Sequence, residues 1–174
     1  DISHLIDLGG IAELKGISFD GDVITIGAMT TQHELITSEA LSKAAPLIRE
    51  ASLQIADPQV RYLGTIGGNV ANGDPANDMP GLMQTLDATY HLTGPEGSRT
   101  IKARDFYEAA YFTAREDEEI LTAISFAKPS GGFAYEKQKR KIGDYATAAA
   151  GVLITVNNGT CSAASVALTN LSDT

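Results

Sequence analysis

The stretch TIGGNVANGDPANDMP, residues 65–80, is dense in Gly, Asn, Asp and Pro and is followed by an apolar run typical of a helix. Gly67 and Gly68 can adopt backbone angles that other residues avoid, and they leave no side chain between the backbone and a ligand. Asn69 and Asn72 tolerate left-handed geometry and carry amide donors and acceptors. The stretch therefore predicts a backbone nest whose N–H groups bind an anion such as a phosphate.

Two common phosphate-binding motifs are absent from this stretch. It contains no Lys, which excludes a Walker A motif, and no G-x-G-x-x-G, which excludes the Rossmann fingerprint. On residue types alone, a surface loop with two turns explains the stretch as well as an anion site does. The residue types of this stretch do not distinguish these two interpretations, so the rest of the sequence is needed.

Composition and charge narrow the possible partners. The chain has 174 residues, is 43% hydrophobic and 20% charged, and carries a net charge of −9, as expected for a globular protein. This charge argues against nucleic acid and anionic membranes, although backbone dipoles can still bind a phosphate locally. The single cysteine, Cys161, excludes an internal disulfide and an iron–sulfur cluster held by this chain alone. No run of 18 apolar residues predicts a membrane span and no signal peptide is visible, so we expect a cytoplasmic protein.

Several local patterns predict secondary structure. Asp20-Gly21-Asp22 lies between two alternating runs and predicts a β-hairpin. Thr31 followed by Glu34 predicts a capping box at the start of a helix. The apolar runs at 5–8 and 120–127 predict two further strands. We expect an α+β fold whose first part is a mixed or antiparallel sheet flanked by helices.

A change in composition marks a domain boundary. Residues 128–132 read Lys-Pro-Ser-Gly-Gly, which is typical of a linker. We therefore predict one domain over residues 1–128 and a second over residues 133–174. The chain starts without Met and a predicted strand follows almost at once, so we expect a piece of a longer polypeptide.

The central stretch also resembles a known family. Residues 64–69, 71–75 and 78–80 together are similar to the second FAD-binding motif of the medium, flavin-carrying subunits of molybdenum hydroxylases. This family includes carbon monoxide dehydrogenase and xanthine dehydrogenase. The likeness covers essentially the whole chain and includes residues 5–8, 26–31, 57–61, 119–121, 135–137 and 144–146.

The resemblance implies a particular fold. Residues 1–128 would be the second subdomain of a bipartite FAD-binding domain of the PCMH/VAO type. Residues 133–174 would begin a small α+β C-terminal domain. The family's first glycine-rich phosphate loop is missing from this sequence, and we expect it upstream of residue 1.

The resemblance also assigns residues to the cofactor. It implies FAD contacts from Ile55, Thr65, Ile66, Gly67, Gly68, Asn69, Asn72, Asp78, Leu121 and Lys137. Residues 65–69 would lie against the diphosphate, and Asn72 and Asp78 would bind polar groups of FAD. Ile55 and Leu121 would lie near its rings, and Lys137 would lie near its polar edge, where an ammonium stabilises developing negative charge.

Simpler interpretations stand beside these roles. Asp78 could cap a helix without binding a ligand, and Ile55 and Leu121 could be ordinary core residues. Lys137 belongs to a basic cluster and could be a solvated charge. The three histidines are scattered without metal-ligand spacing, so we predict no metal site and no catalytic residue in this chain.

The function implied by the resemblance is electron transfer through FAD. Substrate would be oxidised on a molybdopterin-binding large subunit, and electrons would cross 2Fe-2S clusters of a small subunit to FAD and then to an external acceptor. Two alternatives remain open. The chain could belong to a self-contained FAD oxidoreductase of the same fold, or to an interaction domain that has lost the cofactor.

Overall fold

A computed structural model describes residues 4–172 of the chain. Over that range the chain forms six α-helices and ten β-strands. The helices are α1 (Gln32–Thr37), α2 (Glu39–Ala44), α3 (Pro46–Ser52), α4 (Pro58–Leu63), α5 (Ile66–Ala71) and α6 (Asp78–Thr85). The strands are β1 (Ile17–Asp20), β2 (Val23–Gly27), β3 (Thr89–Gly94), β4 (Gly97–Lys102), β5 (Tyr107–Ala109), β6 (Phe112–Thr113), β7 (Ile120–Ala127), β8 (Gly132–Gln138), β9 (Ala148–Asn157) and β10 (Thr160–Thr169).

A five-stranded antiparallel sheet forms the first half of the fold. Its strand order is β1-β2-β7-β3-β4, so β7 lies at its centre. The predicted hairpin at Asp20-Gly21-Asp22 is confirmed, because Asp20 pairs with Val23 across the turn between β1 and β2. The predicted strand at 120–127 is also confirmed as β7. The predicted α+β class with an antiparallel sheet is therefore correct.

Short helices pack on this sheet and share its core. The predicted capping box opens α1, where the Thr31 N–H donates to Glu34 Oε2 at 2.7 Å and the Glu34 N–H donates to Thr31 Oγ1 at 3.2 Å. Leu35 and Leu47 from the helices lie in one apolar cluster with Ile124 of β7. This core fixes the positions of α5 and α6 beside the sheet, which is where the candidate site forms.

A second sheet, of strand order β10-β9-β8, packs on α6 and α3. Tyr135 of β8 and Ala149 of β9 belong to the same apolar cluster as Met83 of α6. Close packing requires a glycine at 151, because a Cβ there would lie 2.5 Å from Thr85 Oγ1. Residues 128–131 of the predicted linker lie between β7 and β8, and Gly132 begins β8. The division into domains 1–128 and 133–174 stays a prediction.

The predicted strand at 5–8 is wrong. This segment has no regular secondary structure, and Leu5 and Ile6 are 87% and 83% exposed. A strand requires a hydrogen-bonded neighbour, and no strand of the described part of the chain pairs with this segment. None of the helices within residues 4–172 is long and apolar enough to cross a bilayer.

Candidate functional site

Residues 66–71 form α5 and residues 78–80 begin α6, in place of the predicted anion-binding nest. Thr65 is the N-cap of α5, and its Oγ1 accepts the Gly68 N–H at 3.0 Å. The N–H of Ile66 donates to Thr30 O at 2.9 Å, and the N–H of Gly67 donates to Ala28 O at 2.8 Å. Neither Gly67 nor Gly68 has a positive φ. The nest prediction is wrong because these N–H groups already donate within the protein.

The two glycines of α5 have different surroundings. Gly67 is buried, and a Cβ at this position would lie 2.5 Å from the Ala28 Cβ and 2.6 Å from its carbonyl oxygen. Gly68 is exposed, and within 4 Å its Cβ would meet only Thr65 Oγ1, at 3.0 Å. Gly67 therefore allows α5 to approach the chain after β2, whereas Gly68 leaves space in an open groove.

That groove, which we call the first cavity, has a volume of about 390 Å³. Thr65, Gly67 and Gly68 form one side of it. Ala28 and Leu121 contribute to a largely apolar wall on the sheet side. The first cavity thus brings together four of the predicted cofactor residues, and its apolar wall suits a flat ring.

A charged loop between β6 and β7 forms the rim of the first cavity. The guanidinium of Arg99 makes a two-pronged ion pair with the Glu119 carboxylate, with N–O distances of 2.6 and 2.7 Å. Arg115 donates from Nη1 to the carbonyls of Glu116 and Glu119. The hydrogen bonds from Arg99 and from the Glu116 N–H lower the pKa of Glu119 to about 2. Sequence reasoning missed this clamp because its partners are 20 residues apart.

A second cavity, of about 270 Å³, also borders α5. Its lining includes Ile55, Asn69, Asp78 and Lys137, four more of the predicted cofactor residues. Tyr145 also contributes to its lining. Helix α5 is thus shared by both cavities, with Gly68 in the first and Asn69 in the second.

The second cavity contains a buried ion pair. Lys137 Nζ donates to Asp78 Oδ2 at 2.8 Å, and the two side chains are only 1% and 5% exposed. Tyr135 Oη donates to Asp78 Oδ1 at 2.5 Å, and Lys137 Nζ also donates to the Gln54 carbonyl at 3.3 Å. Burial raises the pKa of Tyr135, and the charge of Asp78 raises it further. The interpretation of Lys137 as a solvated charge is therefore wrong.

Asn69, rather than Asp78, caps helix α6. The Asn69 Oδ1 accepts the Met79 N–H at 3.2 Å, and the Asn69 carbonyl accepts from the Asn77 side chain at 3.0 Å. Asp78 is the first residue of α6, and Asn77 occupies the N-cap position without a side-chain capping bond. The interpretation of Asp78 as the cap is wrong because its carboxylate is directed to Tyr135 and Lys137.

The other predicted residues have mixed surroundings. Ile66 is fully buried in the core and lines neither cavity. Asn72 is the exposed C-cap of α5 and also lines neither cavity. Ile55 and Leu121 are 8% and 7% exposed, so each belongs to the core and also lines a cavity. The cofactor and core interpretations of these two residues are therefore compatible.

A turn after α3 forms one wall of the second cavity. Arg61 Nη1 donates to the carbonyls of Leu53, Ile55 and Ala56 at 3.4, 3.0 and 3.3 Å. Ala56 has a φ of 46°, a strained value for a residue with a Cβ. The three bonds from Arg61 hold this turn, and with it Ile55, in place. No local spacing in the sequence indicates this role of Arg61.

The two cavities offer both polar and apolar groups to a ligand. The first cavity offers an apolar wall and the Thr65 hydroxyl, and the missing side chain of Gly68 leaves room for a ligand. The second offers a buried ammonium beside apolar Ile55. Flat cofactors are generally held by this combination of apolar walls and a few positioned polar groups.

Comparison with known proteins agrees with this geometry. Residues 1–129 match the family described as the FAD binding domain in molybdopterin dehydrogenase. The chain is 61% identical over 173 residues to the carbon monoxide dehydrogenase medium chain of Afipia carboxidovorans, covering 98% of this chain and 60% of that protein. It is 45% identical over 174 residues to the medium chain of Hydrogenophaga pseudoflava, with the same two coverages.

Solved structures give the same result. The crystal structure of Cu,Mo-CO dehydrogenase in its cyanide-inactivated form matches with a TM-score of 0.96 at 61% identity, covering 98% of this chain and 60% of that one. Quinoline 2-oxidoreductase from Pseudomonas putida 86 matches with a TM-score of 0.92 at 32% identity, covering 96% and 59%. The chain thus spans about 60% of the length of these relatives. The chain belongs to the family of FAD-binding domains of molybdopterin dehydrogenases.

Proposed function

We propose that this chain is the FAD-binding, electron-transfer part of a molybdenum-containing dehydrogenase. The observation that carries the proposal is the pair of cavities that border α5, in a chain that matches a Cu,Mo-CO dehydrogenase with a TM-score of 0.96. The two medium chains at 61% and 45% identity favour a carbon monoxide dehydrogenase in particular. Carbon monoxide is accordingly the proposed substrate of the whole enzyme.

The residues of both cavities would hold FAD. Thr65, Gly67, Gly68 and Leu121 would do so in the first cavity, and Ile55, Asn69, Asp78 and Lys137 in the second. Ile66 would contribute by fixing α5 to the core, and Asn72 would contribute from the exposed end of that helix. Bound FAD would supply the redox chemistry, while the protein supplies binding, orientation and local charge.

The chain's own groups suit these tasks. The Thr65 hydroxyl accepts the Gly68 N–H and keeps its own O–H as a donor for an anionic ligand. The Leu121 and Ile55 side chains provide apolar surface that excludes water from the ligand. Lys137 places a positive charge at the wall of the second cavity, held by Asp78 and the Gln54 carbonyl. None of these tasks requires a general acid or base in this chain.

Two partner subunits complete the proposed path. A molybdopterin-binding large subunit would oxidise the substrate, and a small subunit with 2Fe-2S clusters would deliver the electrons to FAD. An external acceptor would then collect them, in the cytoplasm. A first glycine-rich loop upstream of residue 1 would complete the cofactor site. We also propose residues 1–128 and 133–174 as two domains of this subunit, packed on each other through α6.

The proposal is tested by the visible absorption spectrum of the full-length subunit as purified, with the released cofactor identified. We expect flavin bands and released FAD. A Gly68→Val variant should lose at least tenfold in FAD affinity, because its side chain would enter the first cavity. Gly10→Val is a matched control, because a Cβ at Gly10 has no neighbour within 4 Å. A colourless wild-type protein that also fails to bind added FAD would contradict the proposal.

A second measurement tests the partners. The subunit purified from cells that express all of its genomic neighbours should bring down two further chains, one with molybdopterin and one with iron. A flavin-containing protein that purifies without either chain and oxidises a substrate on its own would support a self-contained oxidoreductase instead.

A further inference from the structure

The ammonium of Lys137 has one donor left over. A Lys ammonium carries three N–H donors. Within residues 4–172, Nζ of Lys137 has two acceptors, Asp78 Oδ2 at 2.8 Å and the Gln54 carbonyl at 3.3 Å. Lys137 also lines the second cavity. The third N–H is therefore available to an acceptor atom of a ligand in that cavity.

Tyr135 contacts the ion pair of Asp78 and Lys137 without lining the second cavity. Its hydroxyl donates to Asp78 Oδ1 at 2.5 Å, while Oδ2 of the same carboxylate accepts from Lys137. Tyr135 is 5% exposed and is not part of the cavity lining, whereas Asp78 and Lys137 are. Tyr135 therefore reaches the cavity only through the carboxylate of Asp78.

We infer that Tyr135 is a positioning residue that sets the charge Lys137 presents to the cofactor, acting through Asp78. This inference rests on the proposed function, because it requires FAD in the second cavity. A hydrogen bond from Tyr135 draws part of the negative charge of Asp78 toward Oδ1. Less of that charge then neutralises the ammonium, and Lys137 stabilises the reduced, more negative form of the flavin more strongly.

The direction of this hydrogen bond is fixed. Burial raises the pKa of Tyr135 far above its ordinary value, and the charge of Asp78 adds to the shift. The tyrosine hydroxyl therefore stays protonated and donates to the Asp78 carboxylate. Replacing Tyr135 with Phe removes this donor and leaves the ring that packs in the core.

The test is the midpoint potential of the flavin in the full-length subunit carrying Tyr135→Phe. We expect the ratio of affinities for reduced and oxidised flavin to fall about threefold, which lowers the potential by about 14 mV for a two-electron couple. Tyr90→Phe is the matched control, because Tyr90 is a fully buried tyrosine that lines neither cavity and whose hydroxyl forms a hydrogen bond with the Tyr107 hydroxyl at 2.8 Å. The control should lower thermal stability and leave the potential at the wild-type value.

A double-mutant cycle separates positioning from a general structural effect. In an Asp78→Asn background the carboxylate charge is gone, so Tyr135→Phe should no longer shift the potential. An unchanged potential in the Tyr135→Phe single variant would overturn the inference. So would an equal shift in the presence and absence of the Asp78 carboxylate. Failure of the proposed function has a different signature, because the wild-type protein would then hold no flavin at all.

Discussion

Two adjacent glycines in α5 carry separate constraints at the scale of single residues. Gly67 faces the backbone of Ala28, so its missing side chain is a packing requirement. Gly68 faces open space, so its missing side chain is available to a ligand. The sequence GG therefore combines a requirement of the fold with a requirement of the site.

Alanine at each position separates the two requirements. We expect Gly67→Ala to reduce the free energy of unfolding by roughly 2 kcal/mol, because a buried Cβ would overlap Ala28. Gly68→Ala should change it by less than about 1 kcal/mol, since alanine is favoured in helices and only Thr65 Oγ1 has to adjust. Urea denaturation of the two variants measures both values. Equal losses at the two positions would contradict this assignment.

At the scale of elements, α6 begins with a cap supplied from another helix. The Asn69 Oδ1 accepts the Met79 N–H from ten residues away. Asn69→Ala should therefore destabilise the protein by about 1 kcal/mol, the usual cost of removing a helix cap. The control is Asn72→Ala at the exposed end of α5, which should stay within about 0.5 kcal/mol of the wild type. Thermal unfolding distinguishes the two, and a wild-type melting curve for Asn69→Ala would refute the cap.

The loop between β6 and β7 gives a pH-dependent prediction. The folded-state pKa of Glu119 is lowered from 4.5 to about 2, chiefly by the hydrogen bond from Arg99. A lowered acid pKa means that the unfolded chain binds the proton first, so this contribution to stability is complete above pH 4.5 and disappears as the pH falls toward 2.

Unfolding free energies of the wild type and Glu119→Gln, measured from pH 6 to pH 2.5, test this linkage. The wild type should be the more stable at pH 6, and the difference should shrink as the pH falls below about 4.5. Glu13→Gln, at an exposed carboxylate, serves as the control. A difference that stays constant over the whole range would contradict the role of Glu119.

Local sequence predicted correctly those elements whose hydrogen bonds join residues close together in the chain. The capping box of Thr31 and Glu34 and the turn at Asp20-Gly21-Asp22 need only residues a few positions apart. The strand predicted at 5–8 failed because an apolar run becomes a strand only beside a partner. The nest predicted at Gly67-Gly68 was wrong for the same reason, because the N–H groups of Ile66 and Gly67 donate to carbonyls more than 30 residues earlier in the chain.

The site followed a similar pattern. The resemblance implied ten cofactor residues. Eight of them line one of the two cavities, and Ile66 and Asn72 line neither. Tyr135, Arg61 and Arg99 were missed as supporting residues, because their partners lie between 5 and 57 residues away and no local spacing indicates them. The roles of the ten predicted cofactor residues stay predictions.

At the scale of the whole molecule, the three-stranded sheet packs on α6 and shares one apolar cluster with the five-stranded sheet. Gly81 of α6 and Gly151 of β9 both lie where an added Cβ would collide with a threonine, Thr169 and Thr85 respectively. One apolar cluster extends across the junction. We therefore expect the described residues to unfold in a single cooperative transition.

Alanine substitutions at the junction test this packing. Gly81→Ala and Gly151→Ala should each destabilise the protein by about 1–3 kcal/mol, because both force α6 and the second sheet apart. The double variant should lose less than the sum of the two, since one displacement relieves both collisions. Gly10→Ala, where a Cβ meets no atom within 4 Å, is the control. Additive losses would indicate that the two contacts are independent.

The residues that form the wall of the second cavity are translated at different times, so the cavity can form only late in synthesis. The Gln54 carbonyl and the Asp78 carboxylate meet only at Lys137, which lies 83 and 59 residues further along the chain. A ribosome releases the N-terminal residues first, so a nascent chain that ends before β8 has both acceptors and no cation between them. Asp78 then remains hydrated until β8 has emerged and docked. The FAD that we propose for this cavity would therefore bind after residue 137 has been translated and β8 has docked.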